Sequence, residues 1–269
     1  MNVKKLRLGL IGKDVSKSKS QAIHTFILSQ MGVECEYENF SVNAQDFDWA
    51  MRRLLGDFDG FNVTIPYKRD VFAYLDGIKG DAALCGAVNT IVTSTKQGYS
   101  TDGVGFMLML ETAGIDVNGK RVLVLGAGGA GRSSAVALKN AGADVFMYRR
   151  NEKELLETCA ELGVNAAKTA EMGSFDVLIN CTGIGMHETE GQSPVSEKAF
   201  QGARVAVDLI YTPAESEFLR VAKSLGLQIL NGASMLFYQA YYSDCLYLGM
   251  QPSRAEAETL YKKYIAENG

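Results

Sequence analysis

The chain has 269 residues, 47% of them hydrophobic and 22% charged, with a formal net charge of −4 at pH 7. That length and balance give one or two globular domains and exclude a disordered chain. The mild acidity argues against nucleic acid or an anionic membrane as partner, and no apolar run approaches the roughly 20 residues that a membrane span needs.

The chain opens with "MNVKKLRLGLIG", two lysines and a short apolar run that closes on Gly-Lys-Asp rather than a small-residue cleavage site. It reads as a first strand and not as a signal peptide. "QAIHTFILSQMG" follows with apolar residues at helical spacing, "CEYENFSV" as a strand, "AQDFDWAMRRLL" as a helix and "GFNVTI" as a strand. A short helix and the strand "AVNTIVTS" complete the first hundred residues. Alternation of this kind predicts a mainly parallel sheet with helices on its faces. After the helix "GVGFMLMLETAGI" the pattern restarts with "KRVLVLGAGGAGRSSAVALKNAGADVFMYRR" and the strands "FDVLINCT", "ARVAVDLIY" and "LQILN". Two helices, "ASMLFYQAYYSDCLYLG" and "SRAEAETLYKKYIAE", end the chain. The expectation is an α/β protein of two domains, joined through a helix near residues 103–114 with no flexible tether.

Gly126, Gly128 and Gly131 satisfy G-x-G-x-x-G after a strand and at the start of a helix. The first permits the tight turn, the second lets a pyrophosphate approach the backbone, and the third allows close helix–strand packing. Helix N-terminal amides then favour the negative charge. Some 20 residues on, where an NAD-specific site places an acid on the ribose, the strand ends in Arg149 and Arg150. Arginine makes charge-assisted bonds to phosphate, which favours the 2′-phosphate of NADP. NAD stays open, as does a pair of plain surface arginines.

In the first half, polar residues recur where strands end: Ser16, Ser18 and Ser20; Asn62, Thr64 and Lys68; Asn89 and Thr90; Thr101 and Asp102. Ligands of parallel α/β sheets bind outside the carboxyl ends of the strands, so these groups can converge on a small polyhydroxylated substrate. Each also has a plainer reading. Ser20 is a candidate helix N-cap, Asn62 and Asn89 are candidate turn residues, and Lys68 a candidate solvated charge.

"SKSQAIH", "NVTIPYK", "GAVNT", "STDGVGF", "GAGGAGR", "INCTGIGM", "VDLIY" and "NGASMLFYQA" resemble, in order and at matching intervals, the signature segments of the shikimate dehydrogenase family. The resemblance covers essentially the whole chain. It implies a Rossmann-type NADP-binding domain over 104–237 and a substrate-binding and catalytic domain over 1–103. Helices of 238–269 would pack back on the latter, with a cleft between the two domains. The implied activity is the NADP-dependent, reversible reduction of 3-dehydroshikimate to shikimate in aromatic amino-acid biosynthesis, by a cytoplasmic monomer or homodimer. Lys68 then matches the catalytic lysine and Asp102 its partner carboxylate. Ser18 and Ser20 match hydroxyls gripping the substrate carboxylate; Thr64, Asn89, Tyr211 and Gln239 match further substrate contacts. Gly126, Ala127, Gly128, Gly129, Ala130 and Gly131 match the pyrophosphate loop, and Leu209 and Gly232 the nicotinamide side.

The chain departs from the family pattern at Gln21, in place of proline, and at Ser100, in place of asparagine. Arg149-Arg150-Asn151 replaces Asn-Arg-Thr, which leaves the register of the phosphate contact open, and "YYSDCLYLG" lacks the usual tryptophan. A quinate/shikimate dehydrogenase using NAD as well as NADP is the nearest alternative, and a catalytically silent NADP-binding regulator a more distant one. His24, within a helix, and His187, on a loop, share no metal-ligand spacing with Cys, Asp or Glu, so no metal is expected. No G-x-S-x-G elbow is present. Cys35, Cys85, Cys159, Cys181 and Cys245 are odd in number and never paired as CxxC, which reads as reduced thiols in the cytoplasm.

Overall fold

The computed structural model describes residues 5–171 and 174–268. The reading of Met1–Lys4 as the lead-in to a strand, and not part of a signal peptide, lies outside the described residues, as does Gly269. Two compact units are formed: one by the chain up to Gly105 and again from Leu236, the other by Phe106–Met235.

The strands are β1 (Lys5–Gly12), β2 (Glu34–Ser41), β3 (Gly60–Val63), β4 (Gly77–Ile78), β5 (Thr90–Val92) and β6 (Gln97–Tyr99) in the first unit. Those of the second are β7 (Arg121–Leu125), β8 (Asp144–Tyr148), β9 (Asn165–Ala166), β10 (Val177–Asn180), β11 (Val205–Asp208) and β12 (Gln228–Asn231). The helices in chain order are α1 (Ser20–Gln30), α2 (Phe47–Asp57), α3 (Asp81–Cys85), α4 (Asp102–Thr112) and α5 (Gly129–Asn140). They continue with α6 (Glu152–Leu162), α7 (Glu217–Ser224), α8 (Ala233–Leu248) and α9 (Arg254–Asn268).

In the first unit the sheet order is β2-β1-β3-β5-β6-β4. β1 is the central parallel strand, flanked by β2 and β3, and its leucines are buried. β2 sits at the edge, where Glu36 and Glu38 pair with Lys5 and Arg7 of β1; charge on an edge strand discourages further pairing. Phe47, Ala50, Met51 and Leu54 form one apolar stripe of α2, packed with Ile11, Phe61, Val63 and Ile91. The opposite layer joins Leu6, Leu8, Leu10 and Tyr37 to Tyr247 of α8. α8 is buried along most of its length, as its nearly continuous apolar sequence requires.

Two expectations change here. The strand expected over 60–65 ends at Val63, and Thr64, Ile65 and Pro66 turn outward, since proline has no N–H for a ladder. The sheet is also mixed beyond β3: β5 pairs antiparallel with both β3 and β6.

In the second unit all strands are parallel, in the order β12-β11-β10-β7-β8-β9. Counted from β7 outward this is the 3-2-1-4-5-6 order of dinucleotide-binding sheets, with its switch point between β7 and β10. The interiors of β7 and β10 are buried on both faces, as helices on each side of a parallel sheet dictate. Leu123, Leu125, Phe175, Leu178 and Phe218 fill one layer. Among the described residues, no helix is long and apolar enough to cross a membrane, and the five cysteines are free.

Candidate active site

Lys68 follows β3 on a short turn whose position is set by Tyr67. That ring is buried, stacks on Phe47 with centroids 4.3 Å apart, and donates its hydroxyl to the Val42 carbonyl at 2.5 Å. The Lys68 carbonyl accepts from Val88 N at 2.8 Å, which ties the turn to the approach of β5. Lys68 Nζ then donates to Asp102 Oδ2 at 2.5 Å, with side-chain exposures of 13% and 8%. Asp102 is the first residue of α4, where the helix dipole favours a carboxylate.

The second oxygen of Asp102 accepts Asn89 Nδ2 at 2.9 Å. The Asn89 amide also donates toward Thr101 Oγ1 and Gln239 Oε1, while its Oδ1 accepts Thr101 N at 2.9 Å and Thr90 Oγ1 at 2.8 Å. Gln239 comes from α8, which reaches this point because Gly105 has no side chain. A Cβ there would stand 2.7 Å from Gln239 N and 2.9 Å from its Cβ. Lys68, Asp102, Asn89 and Gln239 are thus one connected group.

Ser18 and Ser20 form a separate pair: Ser18 Oγ donates to Ser20 Oγ at 3.0 Å and accepts Ser20 N at 3.2 Å. Ser20 is not an N-cap, since it is the first residue of α1 and Lys19 holds the cap position. Thr64 is half-buried beside Gly12. Gln21 is exposed in the first turn of α1, whose entry is regular without the proline. Ser100 and Thr101 border a recess with Val104, Tyr242 and Leu246.

Asn62 does not belong on the substrate rim. Its side chain is buried and fully engaged: Oδ1 accepts the Tyr37 hydroxyl at 3.0 Å, and Nδ2 reaches the Asn89 carbonyl, Thr90 Oγ1 and Ser243 Oγ. Ser243 and the pair His24–Asp244 escape sequence reasoning. His24 Nδ1 lies 2.6 Å from Asp244 Oδ1, both wholly buried, and 220 positions separate them in the chain. Burial pushes the Asp244 carboxyl above the usual range, and His24 opposes that shift.

In the second unit, Gly126 to Gly131 connect β7 to α5. A Cβ on Gly131 would lie 2.3 Å from the Gly126 carbonyl oxygen, whereas one on Gly128 would meet nothing within 4 Å. Gly128 is the N-cap of α5 and no side chain caps it, so the first amides are left for an anion. The loop therefore fits a pyrophosphate. Arg149 follows β8 and pairs with Glu154, and Arg150 is exposed. Asn151 caps α6 instead, accepting Glu154 N at 3.2 Å. Leu209 follows β11 and Gly232 follows β12, and a Cβ on Gly232 would stand 2.1 Å from the Leu209 carbonyl oxygen. Tyr211 is half-buried, which pushes its phenol up. At the end of β11, Asp208 accepts Asn180 Nδ2, Ile210 N and Ser216 Oγ. His187–Thr189 is a single 3-10 turn. Among the described residues no cluster of His, Cys, Asp and Glu is placed to hold a metal ion.

An all-parallel sheet with an uncapped glycine loop at its switch point defines a dinucleotide-binding fold, here in one chain with a buried lysine–carboxylate pair. Residues 10–91 match the family model described as the shikimate dehydrogenase substrate binding domain. A shikimate dehydrogenase (NADP(+)) of Thermus thermophilus is 35% identical over 255 residues, covering 94% of this chain and 96% of that one. That of Shouchella clausii is 34% identical, covering 96% and 98%. The crystal structure of a Thermus thermophilus shikimate 5-dehydrogenase with NADP(H) and shikimate superposes with a TM-score of 0.87 at 34% identity, over 96% of this chain and 99% of that one. A 5-ketofructose reductase from Gluconobacter shares the fold at 30% identity and a TM-score of 0.80, over 96% and 99% of the two chains. The chain belongs to the shikimate dehydrogenase family.

Proposed function

We propose that this protein catalyses the reversible, NADP-dependent interconversion of 3-dehydroshikimate and shikimate. The observation that carries the reading is the connected group of Lys68, Asp102, Asn89 and Gln239, in a chain that matches NADP-dependent shikimate dehydrogenases over nearly its whole length. The unit up to Gly105 and from Leu236 serves the substrate, and Phe106–Met235 serves NADP.

When bound, NADPH supplies a hydride to the carbonyl carbon. Lys68 holds its ammonium proton against the carbonyl oxygen and releases it there as charge develops, leaving a neutral amine. In the reverse direction the amine takes the hydroxyl proton. Asp102 keeps the Lys68 side chain aimed and, with Asn89, orients a substrate hydroxyl. Ser18 and Ser20 hold the substrate carboxylate, with Thr64, Gln239 and Tyr211 as further contacts. For the cofactor, Gly126, Ala127, Gly128, Gly129, Ala130 and Gly131 cradle the pyrophosphate, Arg149 and Arg150 serve the 2′-phosphate, and Leu209 and Gly232 flank the nicotinamide. The cytoplasm as compartment is supported by five free cysteines, and the working form is a monomer or homodimer.

Initial rates at the reduced-nicotinamide absorbance band, with shikimate and quinate each paired with NADP and with NAD, test this reading. Turnover confined to shikimate with NADP is the expected result. Comparable rates with quinate or NAD assign the broader-specificity enzyme, and no rate from folded protein that still binds NADP assigns a silent regulator.

A further inference from the structure

Ser243, inside α8 and without solvent exposure, places its hydroxyl among three strand ends. Asn62 Nδ2 donates to it at 3.2 Å, Thr90 Oγ1 lies at 2.7 Å, Thr101 Oγ1 at 3.0 Å and the Gln239 carbonyl at 2.9 Å. Because Thr90 Oγ1 gives its own proton to Asn89 Oδ1, Ser243 is the donor of the 2.7 Å bond. The hydroxyls of Thr90 and Thr101 are buried as well. Thr90 Oγ1 and the Thr101 backbone N–H are the groups that grip Asn89 Oδ1.

An asparagine amide has a broad, nearly two-fold terminal torsion, so its neighbours and not its rotamer decide which end faces where. Here the oxygen is held by Thr90 Oγ1 and the Thr101 N–H, and Nδ2 is therefore presented to Asp102 Oδ1 and, also at 2.9 Å, to Thr101 Oγ1. Reversing the amide would set its oxygen against the carboxylate. Ser243 is the point at which α8 fixes both threonines, and the same helix supplies Gln239 to Asn89.

We propose that Ser243 is a positioning residue for the Lys68–Asp102 pair, acting through Thr90, Thr101 and the orientation of the Asn89 amide. The proposal rests on the function given above. Removing the hydroxyl takes one partner from each of Asn62 Nδ2, Thr90 Oγ1 and Thr101 Oγ1 and loosens the hold on the amide, so the Asp102 carboxylate loses part of its fixed direction. The hydroxyl is wholly buried and out of reach of a bound molecule, so its effect belongs to kcat.

The test compares wild type, Ser243→Ala and Ser243→Thr for kcat and KM of shikimate across pH, for NADP affinity by nucleotide fluorescence, and for Tm. Well below Tm, the alanine variant is expected to lose about 10–100-fold in kcat, the upper figure being the cost of a ~1 Å misplacement of a catalytic group. Its pH profile should move, its NADP affinity should stay at the wild-type value, and threonine should restore most of the rate. An alanine variant with wild-type kcat and pH profile, whatever its Tm, overturns the proposal, and so does a folded threonine variant that restores nothing. Should alanine fail to fold, Ser243→Cys keeps the volume with a weak hydrogen-bonding group, and a wild-type kcat there overturns the proposal equally. An inactive wild type overturns the proposed function and this inference together, whereas an active wild type beside an unaltered variant overturns the inference alone.

Discussion

Lys68 Nζ stands 2.5 Å from Asp102 Oδ2, and neither side chain has more than slight access to solvent. A buried pair of this kind is a weak source of stability, because desolvation offsets much of the attraction. Under the proposed function, its value lies in holding a proton donor in one direction. Lys68→Ala is expected to lower kcat by about 10²–10⁴-fold, the range for loss of a general acid, with NADP affinity unchanged. Steady-state kinetics beside a nucleotide-binding titration decide the point, and near-normal turnover in the variant sinks the assignment.

Gly128 and Gly131 separate cofactor binding from folding. A Cβ at 131 meets the Gly126 carbonyl oxygen at 2.3 Å, so Gly131→Ala must displace backbone and lower Tm. A Cβ at 128 meets nothing, so Gly128→Ala should keep Tm while raising the KM for NADP by occupying the space beside the uncapped amides. Melting curves and NADP titrations on the two variants check this, and equal Tm losses would contradict it.

Glu154 holds Arg149 and competes with any phosphate for the same guanidinium. Arg149→Ala should reduce the preference for NADP over NAD by about 10–100-fold, the scale of a charge-assisted hydrogen bond. Glu154→Ala should increase the preference. The ratio of kcat/KM for the two nucleotides is the readout, and an unchanged ratio in both variants leaves the 2′-phosphate to Arg150.

Asp244 predicts a pH dependence of stability. Its folded-state pKa is raised by burial, so the native chain binds that proton more tightly than the unfolded chain. Stability therefore falls as pH rises from the unfolded value, about 3.9, to the raised folded one. Tyr37 stacks on His24 at 4.8 Å, Tyr247 lies 6.5 Å away, and Cys35 is a further titratable neighbour of the carboxyl. Asp244→Asn keeps an acceptor for His24 and removes the titration. The Tm of wild type relative to Asp244→Asn should therefore drop between pH 4 and pH 7; a difference that is flat, or that grows in favour of wild type, refutes the assignment.

Burial pushes the thiols of Cys35 and Cys181 up to about 12 and that of Cys245 to about 11. Because the thiolate is the reactive form, these three should resist a disulfide reagent at pH 8 in the native protein and react at once in denaturant. Rapid labelling of all five thiols without denaturant would show that this burial is not maintained in solution.

The second unit was the more legible half of the sequence. Apolar strands of four or five residues, a glycine turn and a following helix are local patterns, and a parallel sheet enclosed by helices leaves such strands few other solutions. "NVTIPYK" and "STDGVGF" likewise marked Lys68 and Asp102 as polar residues where strands end. The two-residue strand β4 and the three-residue strand β6 were too short to carry a period, so the mixed edge of the first sheet went unseen.

What the sequence determined by itself is the alternation of strand and helix, the glycine loop and the placing of a lysine and a carboxylate where strands end. What only the tertiary structure decided is how the polar side chains divide the work. Asn62 looks like a rim residue by position and is a buried strut, Ser20 looks like a cap and is the first residue of its helix, and Ser243 and Asp244 look like any polar pair on a helix. Their partners lie 181 positions away for Asn62 and Ser243 and 220 for His24 and Asp244. A hydroxyl or carboxyl buried in a packed interior takes whatever partner the fold brings to it, and no local pattern along the chain records which partner that is.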